Sequence, residues 1–191
     1  PADLDQDKYL LTCKNGTIDL KTGKLLKHNP DDLITKLAPV DYLPDSECPY
    51  WIAHLKKILG DNDELIGFIQ KVIGYCLTGD TSERAFFILH GGGANGKSIT
   101  LIVIAWILGD YATRTPTDTL LAKQQEGIPN DVARLKGARM AYASEAEQGK
   151  KLAESKVKDL TGGETIVARF LHGEFFEFVP EFKLVLGTNH K

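Results

Sequence analysis

One segment of the chain has the residue types and the spacing of a phosphate-binding loop. Residues 91–98 read GGGANGKS and fit the pattern G-x-x-x-x-G-K-[ST]. In such a loop, glycines let backbone N–H groups approach phosphate oxygens, and a helix that begins there adds the positive end of its dipole. The lysine bridges the β- and γ-phosphate oxygens, and the final hydroxyl ligates Mg²⁺. We therefore predict that ATP and Mg²⁺ bind here, at Gly91, Gly92, Gly93, Ala94, Asn95, Gly96, Lys97 and Ser98.

The segments on either side of this loop have the order that such a site needs. An apolar run with strand character, residues 85–89, precedes the loop, and an apolar helical run, residues 99–108, follows it. A buried strand, a glycine turn and a helix N-terminus let the loop amides converge on a phosphate. The alternative is a glycine-rich turn that precedes Lys97 by chance, and the flanking strand and helix favour the phosphate loop.

Hydrolysis of a bound nucleotide also requires a carboxylate at the end of a neighbouring strand. Glu145 and Glu147 directly follow a modest strand over residues 138–144 and share a side if the chain stays extended. We predict Glu145 as the catalytic acid and a metal ligand, with Glu147 as the reserve candidate. The alternative is that both are solvated loop glutamates, because charged side chains normally lie outside.

A polar residue at the end of the last strand completes this set. Residues 182–187 have the pattern of a buried strand, and Asn189 follows it. Its amide could orient the attacking water or contact the γ-phosphate. Taken alone, Asn189 is an ordinary loop residue, and its proximity to the other motifs makes it a candidate.

A β-hairpin is predicted between the acids and the last strand. Two strand-like runs, residues 165–171 and 175–179, flank a turn at residues 172–174. If the hairpin projects into the channel of a ring, its cations contact the phosphates of a single DNA strand. The candidates for this contact are Arg169, His172 and Lys183. Glutamates nearby favour the alternative, an ordinary surface hairpin.

Length and composition set limits on the class of protein. The chain of 191 residues has 42% apolar and 26% charged residues, which is typical of a globular domain with room for a smaller subdomain. A net charge of −3 excludes a uniformly basic nucleic-acid coat. Three cysteines far apart in the sequence indicate a reducing compartment, without a zinc site or a disulfide framework. The longest apolar run, residues 99–108, is too short to span a membrane. We expect a cytoplasmic protein inside a host cell.

The order of patterns along the chain predicts its organisation. Residues 9–25 have the alternation and turn signals of a small β-hairpin, and two amphipathic helices are predicted between residues 49 and 79. After residue 85, strands alternate with helices, which favours a mostly parallel sheet covered on both faces. We predict an N-terminal β-hairpin and helical subdomain over residues 1–80 and an α/β P-loop core over residues 81–191. Because the chain begins with Pro1 and stops soon after an apolar strand, we expect it to be a piece of a longer polypeptide.

With these motifs in chain order, the sequence resembles the superfamily 3 helicases, in particular the helicase part of phage and plasmid primase–helicase proteins, related to the poxvirus type. Residues 91–98 fit the Walker A motif, and residues 143–147 resemble the Walker B region. Residues 160–170 resemble the motif that lies between Walker B and sensor 1, and residues 186–190 are similar to sensor 1. Four ordered motifs are more specific than any one of them.

The resemblance extends to the N-terminal part and implies a function. Residues 15–23, 48–49 and 74–80 resemble the helical domain that precedes the ATPase in this family. The resemblance implies an AAA+-type core, a homo-hexamer, and ATP-driven 3′-to-5′ movement along single-stranded DNA gripped by the hairpin near His172. A primase or polymerase domain in the same full-length chain also fits the resemblance.

Two departures from the family pattern leave alternatives open. Many members have adjacent acids in Walker B, whereas Ser144 precedes Glu145 here, so the roles of Glu145 and Glu147 stay open. The arginine finger of the family would lie beyond sensor 1, so we expect this chain to bind nucleotide and hydrolyse it poorly.

The alternative function is a nucleotide-dependent assembly or origin-binding module without productive unwinding. A metabolic kinase with the same loop is a third hypothesis, but no segment of the sequence resembles a pocket for a phosphate acceptor.

Overall fold

The computed structural model of the chain describes residues 3–122, 130–144 and 151–189. Its first part is an antiparallel sheet of strands β1 (Leu10–Cys13), β2 (Gly16–Asp19) and β3 (Lys24–Leu26), followed by helices α1 (Pro49–Leu59) and α2 (Asp63–Leu77). The hairpin predicted over residues 9–25 is confirmed, with β3 as an additional strand. Short 3-10 turns occupy Pro30–Asp32, Gly109–Tyr111 and Thr117–Thr119.

Local sequence explains where the two N-terminal helices begin and end. Pro49 lies in the first turn of α1, where no backbone N–H donor is needed. Gly60 ends α1 in the left-handed region, with φ of 67°. Asn62 caps α2 by accepting a hydrogen bond from the N–H of Leu65 at 3.0 Å. These signals place a short, well-bounded α1 immediately before α2.

The second part of the chain alternates strands and helices. In chain order its elements are β4 (Phe86–His90), α3 (Lys97–Leu108), β5 (Ala112–Arg114), α4 (Asn130–Ala133), β6 (Met140–Ser144), α5 (Glu154–Thr161), β7 (Ile166–Ala168), β8 (Phe176–Phe178) and β9 (Lys183–Thr188). Strands β4, β9, β6 and β5 lie side by side in that order, and all neighbours are parallel. The predicted α/β class with a parallel sheet is confirmed.

The predicted hairpin is a separate two-stranded element. Strands β7 and β8 pair antiparallel, with Ile166 opposite Phe178 and Ala168 opposite Phe176. Both are shorter than the predicted runs, because a turn in which the N–H of Gly173 donates to the carbonyl of Phe170 interrupts the ladder.

Strand β9 is an interior strand of the parallel sheet, and every one of its residues is buried. Leu184 and Leu186 belong to the apolar cluster that contains α4, α5 and the hairpin residues Ala168 and Phe178. Val185 belongs to the cluster on the opposite face, which contains α3 and the N-terminal sheet. The alternation along β9 therefore matches a sheet covered on both faces.

The N-terminal part and the parallel sheet share this second cluster. Leu11 of β1 and Ile18 of β2 are buried in the same cluster as Leu101 of α3 and Val185 of β9. The predicted boundary near residue 80 thus falls between α2 and β4, in a chain whose two parts pack together. The division into two domains stays a prediction.

Candidate functional site

The strand order brings the ends of three parallel strands together at one edge of the sheet. Because β9 is inserted between β4 and β6, His90 at the end of β4 pairs with Thr188, and Ser144 at the end of β6 pairs with Gly187. The N–H of Gly91 continues this pairing by donating to the carbonyl of Thr188 at 3.3 Å. The glycine-rich loop and Asn189 therefore begin at adjacent positions.

The side chain of Lys97 lies between these two segments. Its Nζ donates to the carbonyl oxygens of Gly91 at 2.8 Å and Gly92 at 3.0 Å. It also donates to Oδ1 of Asn95 at 2.6 Å and to Oδ1 of Asn189 at 2.8 Å. The structure thus brings together Lys97 and Asn189, which are 92 residues apart in the sequence.

A cavity of about 360 Å³ opens beside this lysine, lined by residues 94–99 of the loop and α3 and by residues 187–189 of β9 and its end. Helix α3 begins at Lys97, so its first backbone N–H groups have no carbonyl one turn earlier. The side chain of Ser98 is exposed in this first turn. Concave shape, free helix amides and an ammonium fit the phosphates of a nucleotide.

The predicted carboxylates cannot be placed in this site. Glu145 and Glu147 lie outside the described residues, which resume at residue 151 after Ser144. Among the residues that the structure describes, no group of three or more His, Cys, Asp or Glu side chains could hold a metal ion. The assignments of Glu145 and Ser98 to Mg²⁺ stay predictions.

Two of the three DNA-binding candidates lie on the β7–β8 hairpin, near its exposed turn. His172 lies at the turn with φ of 62° and is exposed. The guanidinium of Arg169 lies 4.8 Å from the ring centroid of Phe175, which is 61% exposed. Phe170, also exposed, stacks on Phe176 with ring centroids 5.5 Å apart. The hairpin therefore presents Arg169, His172 and aromatic rings on one segment, and the role of Arg169 and His172 in DNA binding stays a prediction.

The prediction that Lys183, the third candidate, contacts DNA is wrong. Its side chain is only 2% exposed at the start of β9. Its Nζ donates to the carbonyls of Thr78, Asp80 and Glu181. Burial lowers the pKa of Lys183 to about 8. A lysine enclosed by backbone carbonyls cannot reach a DNA phosphate, so Lys183 is a structural residue.

One polar residue next to the loop, His54, was not identified from the sequence. His54, on α1, contacts Thr100 in the first turns of α3. The sequence signal that could have identified it is its position on the face of α1 that also carries Trp51, Leu55 and Ile58, at helical spacing. A polar ring on an otherwise apolar face needs a partner.

Residues 1–60 match the family model described as "D5 N terminal like". Over 97% of its length, the chain is 32% identical to "Putative helicase L207/L206" of Acanthamoeba polyphaga mimivirus, of which it covers 20%. It is 25% identical to "Putative primase C962R" of African swine fever virus, over 98% of this chain and 20% of that protein. The chain therefore spans about a fifth of the length of these curated relatives.

A solved structure has a similar fold. The apo structure of the NrS-1 C-terminal region matches with a TM-score of 0.59, over 79% of this chain and 34% of that chain. The two sequences are 15% identical, so the likeness concerns the fold alone.

In the part of the chain that the structure describes, none of the helices has the length and apolar character needed to cross a membrane.

Proposed function

We propose that this chain is the nucleotide-binding part of an ATP-driven DNA helicase of the superfamily 3 type, which couples ATP hydrolysis to movement on single-stranded DNA. The observation that carries the proposal is the position of the Lys97 ammonium, between a glycine-rich loop and Asn189 at the carboxyl edge of a parallel sheet. The similarity to viral proteins named as a helicase and a primase supports a role in DNA replication.

Binding of the triphosphate is an exchange of partners at Lys97. The ammonium now donates to neutral carbonyl and amide oxygens. Anionic phosphate oxygens add the attraction between opposite charges to the hydrogen bonds that the same N–H groups can form. The free amides at the start of α3 add further donors. The residues present therefore fit a triphosphate.

In the proposed hydrolysis, each remaining residue has a distinct task. Ser98 and Glu145 would hold Mg²⁺, which when bound neutralises the charge that develops on the phosphate oxygens. Glu145, or Glu147 in its place, accepts a proton from the attacking water. The amide of Asn189 contacts the γ-phosphate or orients that water. A neighbouring subunit of a hexamer completes the site, because phosphoryl transfer depends mostly on positioning and charge.

In the same proposal, the exposed turn of the hairpin contacts the DNA. Arg169 and His172 interact with backbone phosphates, and the exposed rings of Phe170 and Phe175 offer surfaces on which bases can stack. Such contacts are independent of base sequence, as movement along a strand requires.

Measurement of Mg·ATP affinity tests the nucleotide site. Lys97→Ala is expected to abolish measurable binding by isothermal titration calorimetry, because it removes the charge that the phosphates would meet. Lys57→Ala, which removes an exposed lysine of α1, is the control and should bind like the wild type. A Lys97→Ala chain with unchanged affinity would contradict the proposal.

ATPase measurements separate the motor from a module that only assembles. We propose that this chain is part of a longer protein, in which single-stranded DNA is expected to stimulate ATP hydrolysis and Glu145→Gln is expected to abolish it. The molecular mass in solution, with and without ATP and DNA, tests for the hexamer. A hexamer whose turnover neither responds to DNA nor changes with Glu145→Gln would favour the assembly module.

A further inference from the structure

Helix α1 packs directly on the backbone of the phosphate loop. Gly96, the residue before Lys97, has φ of +82°, a conformation that side-chain-bearing residues rarely adopt. A Cβ atom at this position would lie 2.6 Å from Cγ2 of Ile58 and 3.1 Å from Cε1 of His54. The approach of α1 is therefore closer than any residue except glycine permits.

A hydrogen-bonded relay runs from α1 into the loop. The hydroxyl of Thr100 donates to the carbonyl oxygen of Gly96 at 3.0 Å, and the backbone N–H of Thr100 donates to the same oxygen at 2.9 Å. Nε2 of His54 lies 3.0 Å from Oγ1 of Thr100. With the single hydroxyl hydrogen assigned to the carbonyl of Gly96, Nε2 of His54 is the donor to Oγ1. The ring of Trp51 stacks on His54 at 5.7 Å and holds it in place.

The relay fixes the orientation of one particular peptide group. The carbonyl of Gly96 and the N–H of Lys97 belong to the same peptide bond, which is planar and trans. Holding the carbonyl toward Thr100 therefore directs the Lys97 N–H the opposite way. That N–H is among the first amides of α3, and residues 96 and 97 line the cavity.

We propose that His54 is a positioning residue for nucleotide binding, which acts through Thr100 to hold the Gly96–Lys97 peptide with its N–H available to a phosphate. This inference rests on the proposed function of the loop. The N-terminal part of the chain thereby contributes to the nucleotide site through α1. His54 acts through the relay and makes no contact with the phosphates itself.

Paired substitutions test the relay in the 191-residue chain. His54→Phe keeps a ring but loses the N–H donor, and Thr100→Val keeps the shape but loses the hydroxyl. Each is expected to weaken Mg·ATP binding about tenfold, the effect of one hydrogen bond worth about 1.4 kcal/mol. The double variant is expected to bind no more weakly than either single variant, because both remove the same relay.

Conservative variants separate positioning from general stability. His54→Gln and Thr100→Ser retain the donor and the hydroxyl, and each is expected to bind within about twofold of the wild type. Tyr50→Ala, at a side chain of α1 that is 92% exposed, is the matched control. The thermal unfolding midpoint without nucleotide is measured for every variant.

The outcomes distinguish failure of the relay from failure of the nucleotide site on which it rests. If the wild type binds Mg·ATP and loses affinity with Lys97→Ala, but His54→Phe and Thr100→Val bind normally, the relay is wrong and the nucleotide site stands. Additive losses in the double variant, or losses that follow the unfolding midpoint and are not rescued by His54→Gln, also overturn the relay. If the wild type does not bind Mg·ATP, the proposed function fails and the relay fails with it. Should one variant not fold, the other decides.

Discussion

Two asparagine side chains accept hydrogen bonds from the ammonium of Lys97. Asn95 and Asn189 each present a side-chain oxygen to Nζ, at 2.6 Å and 2.8 Å. These acceptors carry no net charge, so they hold the lysine in the site without an ion pair that a phosphate would have to break. Asn189 is in addition attached to the central strand, which joins the position of the lysine to the sheet.

The charge of residue 189 should therefore control affinity. Asn189→Asp preserves the shape but places a carboxylate beside Nζ, where it pairs with the lysine and repels the triphosphate. We expect its dissociation constant for Mg·ATP to rise at least about tenfold, whereas Asn189→Ala should stay within about threefold and mainly lose turnover. Calorimetric titration of both variants measures this. Equal affinities for Asn189→Asp and the wild type would show that this side chain is remote from the bound phosphates.

Residues of the site differ in how far the sequence alone could reveal them. The position of the loop between a strand and a helix could be predicted because its motif is contiguous, and the position of Asn189 because it follows a strand. His54 could not, because its partner Thr100 is 46 residues away and no motif joins them. Lys183 was assigned wrongly, because its carbonyl partners Thr78 and Asp80 lie more than 100 residues away in the sequence. Local patterns predict charge, but only packing decides whether that charge meets solvent.

The β7–β8 hairpin is the element through which DNA contact can be tested. Its turn carries His172, and Arg169 lies against Phe175 close to the same end. Because these groups are on a short, separate pair of strands, their removal should leave the parallel sheet intact.

Removing both side chains should weaken DNA binding and reduce its dependence on salt. Arg169→Ala combined with His172→Ala is expected to weaken binding to single-stranded DNA and to lower the slope of log K against log[salt] by about 0.7 for each phosphate that is no longer neutralised. Fluorescence anisotropy over a range of salt concentrations measures both effects. Lys24→Ala, on the N-terminal sheet, is the control for removal of an exposed cation. An unchanged slope would make the hairpin an ordinary surface element.

At the scale of elements, long apolar patterns were informative and short polar ones were not. The strand before the loop and the helix after it follow from their apolar runs. Strand β5, with only Ala112, Thr113 and Arg114, was not predicted, because it is short and polar. The place of β9 between β4 and β6 was not predicted either, because strand order is set by long-range packing.

Two buried cations join the N-terminal part to the amino ends of the central strands. Arg139, 5% exposed, donates to the carbonyls of Leu77, Asp7 and Leu10 and lies 4.6 Å from the ring centroid of Tyr111. Burial lowers its pKa. Lys183 binds the connection between α2 and β4 in the same manner. In the described part of the chain, backbone carbonyls thus hold both of these cations inside the fold.

The cost of burying Lys183 should depend on pH. Burial lowers its pKa from 10.5 to about 8, so between these values the unfolded chain binds more protons at this residue than the folded chain. The contribution of Lys183 to the free energy of unfolding therefore rises as pH increases from about 8 to 10.5 and is least favourable below that window. The buried thiol of Cys76 acts in the opposite direction at higher pH, because its pKa is raised from 9.0 to about 11.

Urea unfolding at about pH 7 and about pH 9 tests this dependence, in a range where the lysine contribution dominates. Lys183→Met should destabilise the chain at both values, because it leaves the carbonyls of Thr78 and Asp80 without their donor. The stability difference between wild type and Lys183→Met should be larger at the higher pH. Lys57→Met, at an exposed site, controls for removal of a lysine. A difference that is the same at both pH values would contradict the assigned pKa.

Strand β4 also has a practical consequence for work with this chain. Among the described residues it has a β neighbour on one side only, and Ile88 on it is 49% exposed. A row of unused amides and carbonyls with an apolar side chain is a template on which another molecule can add a strand. We therefore expect concentrated samples to become turbid through edge-to-edge aggregation. Titrations with nucleotide or DNA should accordingly be repeated over a dilution series, so that sample ageing is not read as ligand response.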